Sequence, residues 1–226
     1  MKASEELLKR LKANLGDFEK AFDEVLASVP LTVAWVKAEE ATNPAFPASR
    51  LLTGSKLALL EAAACWGAGL NRGAAGSLRT LIENLFAWLY YKDHPVEYAA
   101  VERKHSELLL PKAVITYLKN VDRGFDTAHA FLKEKMGRPN DYYYSDVSEY
   151  VHAHPSHVLP GKPPWELAVT IPRDSGFLAI CEHADEFVSD GFSTHYRASW
   201  GIVPDVTKSD LSARLGTKLA KFLAVA

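Results

Sequence analysis

The sequence predicts an all-α protein: a single-domain helical bundle of about seven to nine helices with a long proline-rich loop. Three observations support this fold class. Apolar residues recur at intervals of three and four positions along most of the chain. No stretch shows the sustained apolar and polar alternation of a half-buried strand. The 226 residues are 48% hydrophobic and 24% charged, which is typical of a folded globular protein.

Residues 1–30 carry the clearest helical pattern. Their apolar side chains are spaced alternately by three and four positions, at Leu8, Leu11, Leu15, Phe18, Phe22, Val25 and Val29. Such a heptad seam is typical of a helix that packs lengthwise against another helix, and Pro30 ends it. Two interpretations remain open. The seam forms either a coiled coil that pairs two copies of the chain in a homodimer, or the first helix of the bundle.

The next stretch mixes signals before a strong helix begins. Residues 31–36 are apolar and rich in β-branched side chains, whereas 37–41 read as helical. Two prolines within 43–47 mark a loop. Residues 51–69 are rich in leucine and alanine and predict a buried helix. A break or tight passage is expected at 71–73.

Residues 50–195 form the expected core of the bundle, and the two sequence motifs described below lie within it. The helix over 74–92 has a broad apolar arc, and its other side is small or weakly polar rather than rich in lysine. We therefore expect a central helix that is covered on both sides. After it we expect a helix over 93–119 that is kinked or split at Pro111, a helix over 125–135 and a helix over 142–153 capped by Asp141. A loop over 155–172 with five prolines follows. The last expected elements are a helix over 174–188 and a basic amphipathic helix over 208–223, within the C-terminal segment 205–226.

Charge and cysteine content exclude several classes of protein. The net charge is -2, so the chain has no overall basic field that would attract nucleic acid. Its two cysteines, Cys65 and Cys181, cannot build a disulfide framework or a four-cysteine zinc site. No uncharged apolar run reaches the ~18 residues of a membrane span. We expect a bacterial cytoplasmic protein with no cofactor and no membrane partner.

Arg79 and Glu83 are the first candidate site residues. They lie four positions apart on the central helix, so their side chains share one face. A guanidinium can bind a carboxylate or phosphate through two parallel hydrogen bonds. An ion pair within the helix is the alternative interpretation.

Tyr144, Ser148 and His152 are the second candidate set, because they recur every four residues on the helix over 142–153. His152 titrates near neutral pH and is the natural general acid or base of the three. Tyr150 belongs to a group of tyrosines that could stack on a planar ligand. The alternative is a buried polar seam whose hydroxyls and imidazole satisfy one another.

Two further patterns that contain histidine are weaker indications of a functional site. His152, His154 and His157 form an H-x-H-x-x-H cluster that invites a zinc site, but Pro155 interrupts it, and we expect no bound metal. Arg123 and His129 match the loose pattern of an arginine followed six positions later by a histidine, which serves phosphodiester cleavage in some helical ribonucleases. Gly124 is expected to interrupt the helix between them.

Two motifs carry a resemblance to known proteins. The segment 76–83 resembles the R-x-x-x-E helix of a family of mostly bacterial helical proteins that have no settled activity. The segment 144–152 resembles the same family's Y-x-x-L-S-x-x-x-H motif, with Val147 in the place of the usual leucine. The resemblance covers about residues 50–195. The chain is also distantly similar to the HEPN superfamily of helical ribonucleases and nucleotide binders, which implies toxin or phage-defence roles. That superfamily's arginine and histidine share one helix, whereas Arg79 and His152 do not.

These features lead to three hypotheses about function. In the first, Arg79 binds the anionic group of a phosphate-bearing ligand such as a nucleotide or RNA, Glu83 orients it, and His152 acts as acid or base with Ser148 and Tyr144 in support. In the second, the chain is a HEPN-like, metal-independent ribonuclease. In the third, the same residues form a buried hydrogen-bond network, and the protein acts as a non-enzymatic partner of a neighbouring gene's product.

Overall fold

The computed structural model describes residues 3–43, 45–136, 147, 169, 173 and 176–225. These residues are 86% helical and include no strand, which confirms the all-α fold class. The helices are α1 (Ala3–Asn14), α2 (Phe18–Ala27), α3 (Pro30–Thr42), α4 (Arg50–Gly67), α5 (Asn71–Tyr91), α6 (Pro95–Lys104), α7 (Pro111–Val121), α8 (Arg123–Met136), α9 (Gly176–His195), α10 (Asp205–Leu215) and α11 (Leu219–Leu223). Short 3-10 segments occupy Leu15–Asp17, Pro47–Ser49, Arg197–Ile202 and Gly216–Lys218.

The N-terminal heptad segment is divided rather than continuous. The 3-10 segment Leu15–Asp17 separates α1 from α2, and Gly16 lies at its centre. Glycine costs an α-helix about 1 kcal/mol relative to alanine, so this is where a break is least costly. The apolar seam therefore does not run along one straight helix. Its later members Val25 and Val29 are fully buried, whereas Leu8 and Leu15 are 51% and 58% exposed.

Among the described helices, α3, α6 and α7 begin with a proline, at Pro30, Pro95 and Pro111. Proline suits the first helical position, because the N–H that it lacks has no partner within the helix there. The expected division at Pro111 is confirmed, since α6 ends at Lys104 and α7 begins at Pro111. The mixed signal over 31–36 resolves as the first turns of α3, whose β-branched and aromatic side chains pack into the core.

Three expectations about local breaks are wrong. Asn71–Gly73 is the first turn of α5 rather than a break. Gly124 does not interrupt α8, because the helix begins at Arg123 and the Asp122 carboxylate accepts hydrogen bonds from the N–H groups of Gly124 and Phe125 at 2.9 and 3.2 Å. The basic C-terminal helix is two helices, since Gly216 between them has a φ of 51°.

The expected helix over 142–153 and the proline-rich loop over 155–172 lie outside the described residues, apart from Val147 and Val169. Both of these valines are fully buried. The helix expected over 174–188 corresponds to α9, which continues to His195.

The chain divides into two compact units. The first comprises Met1–Val29, Lys56–Leu81 and Asp141–Ala184, and the second comprises Pro30–Ser55, Ile82–Asn140 and Asp185–Ala226. Each unit takes its residues from three separate stretches of the chain. No single cut in the sequence therefore separates them, which agrees with the single-domain expectation.

The first unit is held by close contacts around the end of α4. A Cβ added to Gly67 would lie 2.6 Å from the Phe18 ring, so only glycine allows α2 this close to α4. The Trp66 and Phe177 rings stack with centroids 4.8 Å apart. The Arg173 guanidinium donates hydrogen bonds to the Asp17 carboxylate and to the carbonyl oxygens of Asn14 and Trp66, which links the segment before α9 to the α1–α2 junction and the end of α4.

The second unit has an aromatic core. Phe86 and Phe187 pack with their ring centroids 4.8 Å apart, and Trp35 packs against Phe192 at 5.3 Å and Tyr196 at 5.5 Å. A second cluster joins α8 to the C-terminal helices; its buried members are Ala128, Leu132, Leu211, Leu215 and Phe222. Within the described ranges no helix combines the length and the apolar character that crossing a bilayer requires.

Contacts of the Asp185 and Asp122 carboxylates join elements of this unit. The Asp185 carboxylate accepts hydrogen bonds from the backbone N–H groups of Leu31 and Thr32, so a residue of α9 caps the N-terminus of α3. Arg197 donates two hydrogen bonds of 2.7 Å to the Asp122 carboxylate, and a third from its Nε to the Val225 carbonyl. The Arg197 guanidinium keeps the pKa of Asp122 below its usual value.

Burial, together with the nearby Asp210 carboxylate, raises the pKa of Asp185 to about 6. The folded protein therefore binds this proton more tightly than the unfolded chain, whose aspartates titrate at about 3.9. The stabilisation from the bound proton is complete below pH ~3.9 and is lost as the pH rises through about 6.

We expect Asp185→Asn to become more stable relative to the wild type as the pH rises from about 4 to 6, with a slope approaching about 1.4 kcal/mol per pH unit. Urea unfolding of both proteins at several pH values measures this difference. Burial lowers the pKa of His195 to about 4, and its opposite contribution cancels because both proteins contain it. A difference that stays constant over this range would contradict the prediction.

Candidate functional site

The structure places the first pair of predicted site residues on α5. Arg79 and Glu83 are one helical turn apart, and both side chains are half-buried. Their neighbours Leu78, Ile82 and Leu85 are fully buried. The pair thus lies at the border of the apolar core, as its spacing predicts, rather than on a fully solvated face.

The candidate site residues of the second motif lie outside the described residues. Tyr144, Ser148, Tyr150 and His152 stay predictions from the sequence, as do His154 and His157 of the histidine cluster. In the part of the chain that the structure describes, no group of three or more histidine, cysteine, aspartate and glutamate side chains could hold a metal ion.

The Arg123 and His129 pair is placed on two sides of α8. Six helical positions correspond to a rotation of about 240°. Arg123 is exposed, whereas His129 is 5% exposed and stacks on the Phe125 ring at 5.5 Å. A common active site would require both side chains to point at the same phosphodiester. These two do not.

A third group of polar and aromatic side chains, which we call the Glu39 centre, lies where α3, α5 and α9 meet in the second unit. It consists of Glu39, Asn43, Trp88, Lys92, His195 and Tyr196. Glu39 is 3% exposed, and its Oε2 accepts hydrogen bonds from Trp88 Nε1 at 3.0 Å and from Asn43 Nδ2 at 3.2 Å. The Tyr196 hydroxyl donates a further hydrogen bond to the same carboxyl.

A cation and a histidine flank these hydrogen bonds. Lys92 Nζ lies 4.8 Å from the centroid of the Tyr196 ring, a cation–π distance, and 3.6 Å from Asp93 Oδ2. The His195 ring meets the Tyr196 ring edge-on, with centroids 4.7 Å apart. The positive charge of Lys92 favours the ionised form of the Glu39 carboxyl.

The pKa values in the Glu39 centre are displaced by its burial. Burial raises the pKa of Glu39, although the hydrogen bonds from Tyr196, Trp88 and Asn43 and the charge of Lys92 oppose the shift. Burial and the neighbouring carboxylate likewise raise the pKa of the Tyr196 hydroxyl. Burial, together with the positive charge of Lys92, lowers the pKa of His195 to about 4, so the imidazole is neutral at physiological pH.

Displaced pKa values mark both catalytic sites and structural hydrogen-bond networks. Here a carboxyl, a phenol and a neutral imidazole lie next to one another, which is the set of groups that general acid–base chemistry uses. The carboxyl, however, already accepts hydrogen bonds from three protein donors. Its clear role is to join three helices at a buried point.

The sequence pattern gives little indication of the Glu39 centre. Glu39 stands beside Glu40 in a segment with mixed signals, so it resembles a solvated residue. One signal was available: Trp88 lies in the middle of an apolar arc, and a buried indole N–H needs an acceptor.

No protein family, no curated protein and no solved structure was found to match this chain.

We expect Glu39→Ala to lower the free energy of unfolding by about 2–4 kcal/mol, because the Trp88 N–H and the Tyr196 hydroxyl lose a buried acceptor. Glu39→Gln keeps an acceptor oxygen and should cost about 1 kcal/mol or less. Urea unfolding at neutral pH gives both values. The matched control is Lys37→Ala, an exposed change on the same helix that should stay within about 0.5 kcal/mol of the wild type. Equal effects of the Glu39 and Lys37 changes to alanine would contradict the role of the centre.

Proposed function

We propose that the protein binds a phosphate-bearing ligand, a nucleotide or RNA, through Arg79. The observation that carries this proposal is the half-burial of Arg79 on α5, one turn from the half-buried Glu83 and next to fully buried leucines. A guanidinium at the edge of an apolar core is weakly screened by water. Its hydrogen bonds to a phosphate are therefore stronger than those of a surface arginine.

The roles of the other motif residues follow from their chemistry. Glu83 lies one turn away on the same helix, where a carboxylate can orient the guanidinium or a ligand hydroxyl. His152 is proposed as the acid or base for any hydrolysis, with Ser148 and Tyr144 in support and Tyr150 available to stack on a base. The net charge of -2 means that attraction of a polyanion has to come from this local site.

The HEPN-like ribonuclease and the interaction protein remain the alternative functions. The opposite burial of Arg123 and His129 favours Arg79 over Arg123 as the residue that contacts phosphate. The two arginines therefore serve as site and matched control in the same experiment.

We expect Arg79→Ala to weaken binding of a fluorescein-labelled single-stranded RNA, or of ATP, by about tenfold or more, since a charge-assisted hydrogen-bond pair contributes roughly 1.5–3 kcal/mol. Fluorescence anisotropy and titration calorimetry measure the two affinities. Arg123→Ala should leave both within about twofold.

Thermal unfolding of the same variants separates binding from folding. Arg79→Lys keeps the positive charge but cannot form the two-point contact, so it should lose affinity without a lower Tm. If Arg79→Ala binds as the wild type does, or if only Arg123→Ala loses affinity, the proposed site is wrong. A lower Tm with unchanged affinity would favour the structural role.

We also propose that α1 pairs two copies of the chain. Leu8 and Leu15 are half or more exposed, whereas Val25 and Val29 at the other end of the same seam are buried. The uncovered part of the heptad pattern is therefore confined to α1 and the residue that follows it. In a symmetric pair the same leucines would cover one another.

We expect the chain to be a dimer at high micromolar concentration and Leu8→Glu to shift it toward monomer, because a buried carboxylate would face an apolar partner. Multi-angle light scattering after size-exclusion chromatography gives the mass. Lys9→Glu, an exposed change at the adjacent position, is the matched control and should remain a dimer. If the wild type is a monomer at this concentration, the result contradicts the proposed dimer.

A further inference from the structure

A cluster of aromatic and ionisable side chains lies where α5, α6 and α7 meet in the second unit. Tyr90 is in the last turn of α5, His94 follows that helix, and Tyr117 is on α7. These three side chains are half-buried, whereas Val96 and Glu97 in the first turn of α6 are exposed. The cluster therefore lies at the surface of the second unit, and it shares no residue with the Glu39 centre.

Two hydrogen bonds determine which nitrogen of the His94 ring carries the proton. Nδ1 lies 2.7 Å from the carbonyl oxygen of Tyr90, which can only accept, so Nδ1 is protonated in the neutral imidazole. Nε2 is then an acceptor, and the Tyr117 hydroxyl donates to it at 3.1 Å. A hydroxyl, a base and a group that orients the base thus follow one another, which is the arrangement by which a histidine activates a nucleophile.

The surroundings of His94 favour the imidazolium that forms when it takes the Tyr117 proton. The ring stacks on the Tyr90 ring, with centroids 4.0 Å apart and 3° between the planes, and the face of a tyrosine ring attracts a cation. The hydrogen bond from Nδ1 to a carbonyl in the last turn of α5 places the positive charge at the negative end of the helix dipole. The imidazolium in turn stabilises the phenolate of Tyr117 next to it.

Tyr90 provides the contrast within the same cluster. Its hydroxyl donates to the Glu97 carboxylate, and this hydrogen bond raises the pKa of Tyr90 to about 12. Loss of the Tyr90 proton would leave a phenolate beside a carboxylate, which are two like charges. Tyr117 has a neutral base as its partner, so proton transfer there creates opposite charges. Of the two hydroxyls, that of Tyr117 is therefore the one suited to act as a nucleophile.

We propose that Tyr117 is a nucleophile activated by His94, and that this site takes acyl donors with a good leaving group. The Tyr117 oxygen attacks the acyl carbon and forms a new C–O bond, while its proton moves to Nε2 of His94. The bond from the acyl carbon to the leaving group breaks, and the leaving group departs with the electron pair. His94 then releases the proton to solvent, and Tyr117 carries an aryl ester.

The charge at this site favours a neutral donor. The exposed Glu97 carboxylate bonds to Tyr90, whose ring meets the Tyr117 ring edge-on with centroids 4.8 Å apart. A negative charge this close to the nucleophile repels an anionic phosphate ester, whereas it does not repel an uncharged carboxylic ester. The class of donor is therefore a neutral activated ester.

p-Nitrophenyl acetate tests the proposal, because it is a neutral ester with a good leaving group. We expect Tyr117 to be acetylated at least about tenfold faster than N-acetyltyrosinamide under the same conditions, since general base catalysis typically contributes roughly a hundredfold or more. Peptide mass spectrometry locates the acetyl group and gives its rate of formation. A Tyr117 that reacts no faster than the free tyrosine derivative would overturn the proposal, and so would an acetyl group on His94 in place of Tyr117.

Two variants test the role of His94. His94→Gln keeps a polar side chain but cannot act as a base, so we expect the acetylation of Tyr117 to slow to the rate of the free derivative. Tyr90→Phe is the matched control, because it removes a hydroxyl of the same cluster and keeps the ring on which His94 stacks. It should leave the rate within about twofold of the wild type.

Thermal unfolding checks that both variants are folded, and the comparison of the wild type with the free derivative does not depend on either of them. If His94→Gln acetylates Tyr117 as fast as the wild type, His94 is not the base and the proposal is wrong. Equal slowing by both variants would contradict it as well.

Discussion

Helix α9 and the residue that follows it bring Asp185, Asp190 and Tyr196 into the core of the second unit, where other elements supply their partners. Asp185 caps α3, Asp190 binds Arg214 of α10, and Tyr196 just beyond the helix binds Glu39 of α3. Because an unsatisfied buried polar group costs about 1–3 kcal/mol, each contact specifies which helix lies next to α9. The apolar contacts alone would tolerate more arrangements.

This polar network also makes the stability of the protein depend on pH in two opposing ways. Asp185 is held with its pKa raised, so its contribution weakens as the pH increases through about 6. His195 is held neutral with its pKa near 4, so its contribution weakens as the pH falls below the ordinary histidine value of about 6.5. Buried ionisable groups of this kind add little net stability, because the cost of removing charge from water offsets much of what their contacts gain.

Helical periodicity predicted most of the fold, because apolar spacing reports which face of a helix is buried. Pro111 marked a real helix boundary, and the apolar arc over 74–92 matches the buried side of α5. The breaks at Gly16 and Gly216 were missed, since a glycine in a helical pattern is tolerated in many proteins. The placement of Arg79 and Glu83 on one face of α5 followed from their spacing alone. The acceptor role of Glu39 did not follow from spacing, because it depends on a tryptophan 49 positions away.

The sequence by itself therefore determined the all-α class, the approximate helices and the i, i+4 pair on α5, since these depend only on neighbours within a few turns. Only the tertiary structure decided which polar residues are buried and with what they pair. Asp185 is joined to the start of α3 across more than 150 positions, and Arg197 to Asp122 across 75. Such contacts depend on how helices pack, and local spacing carries no information about them.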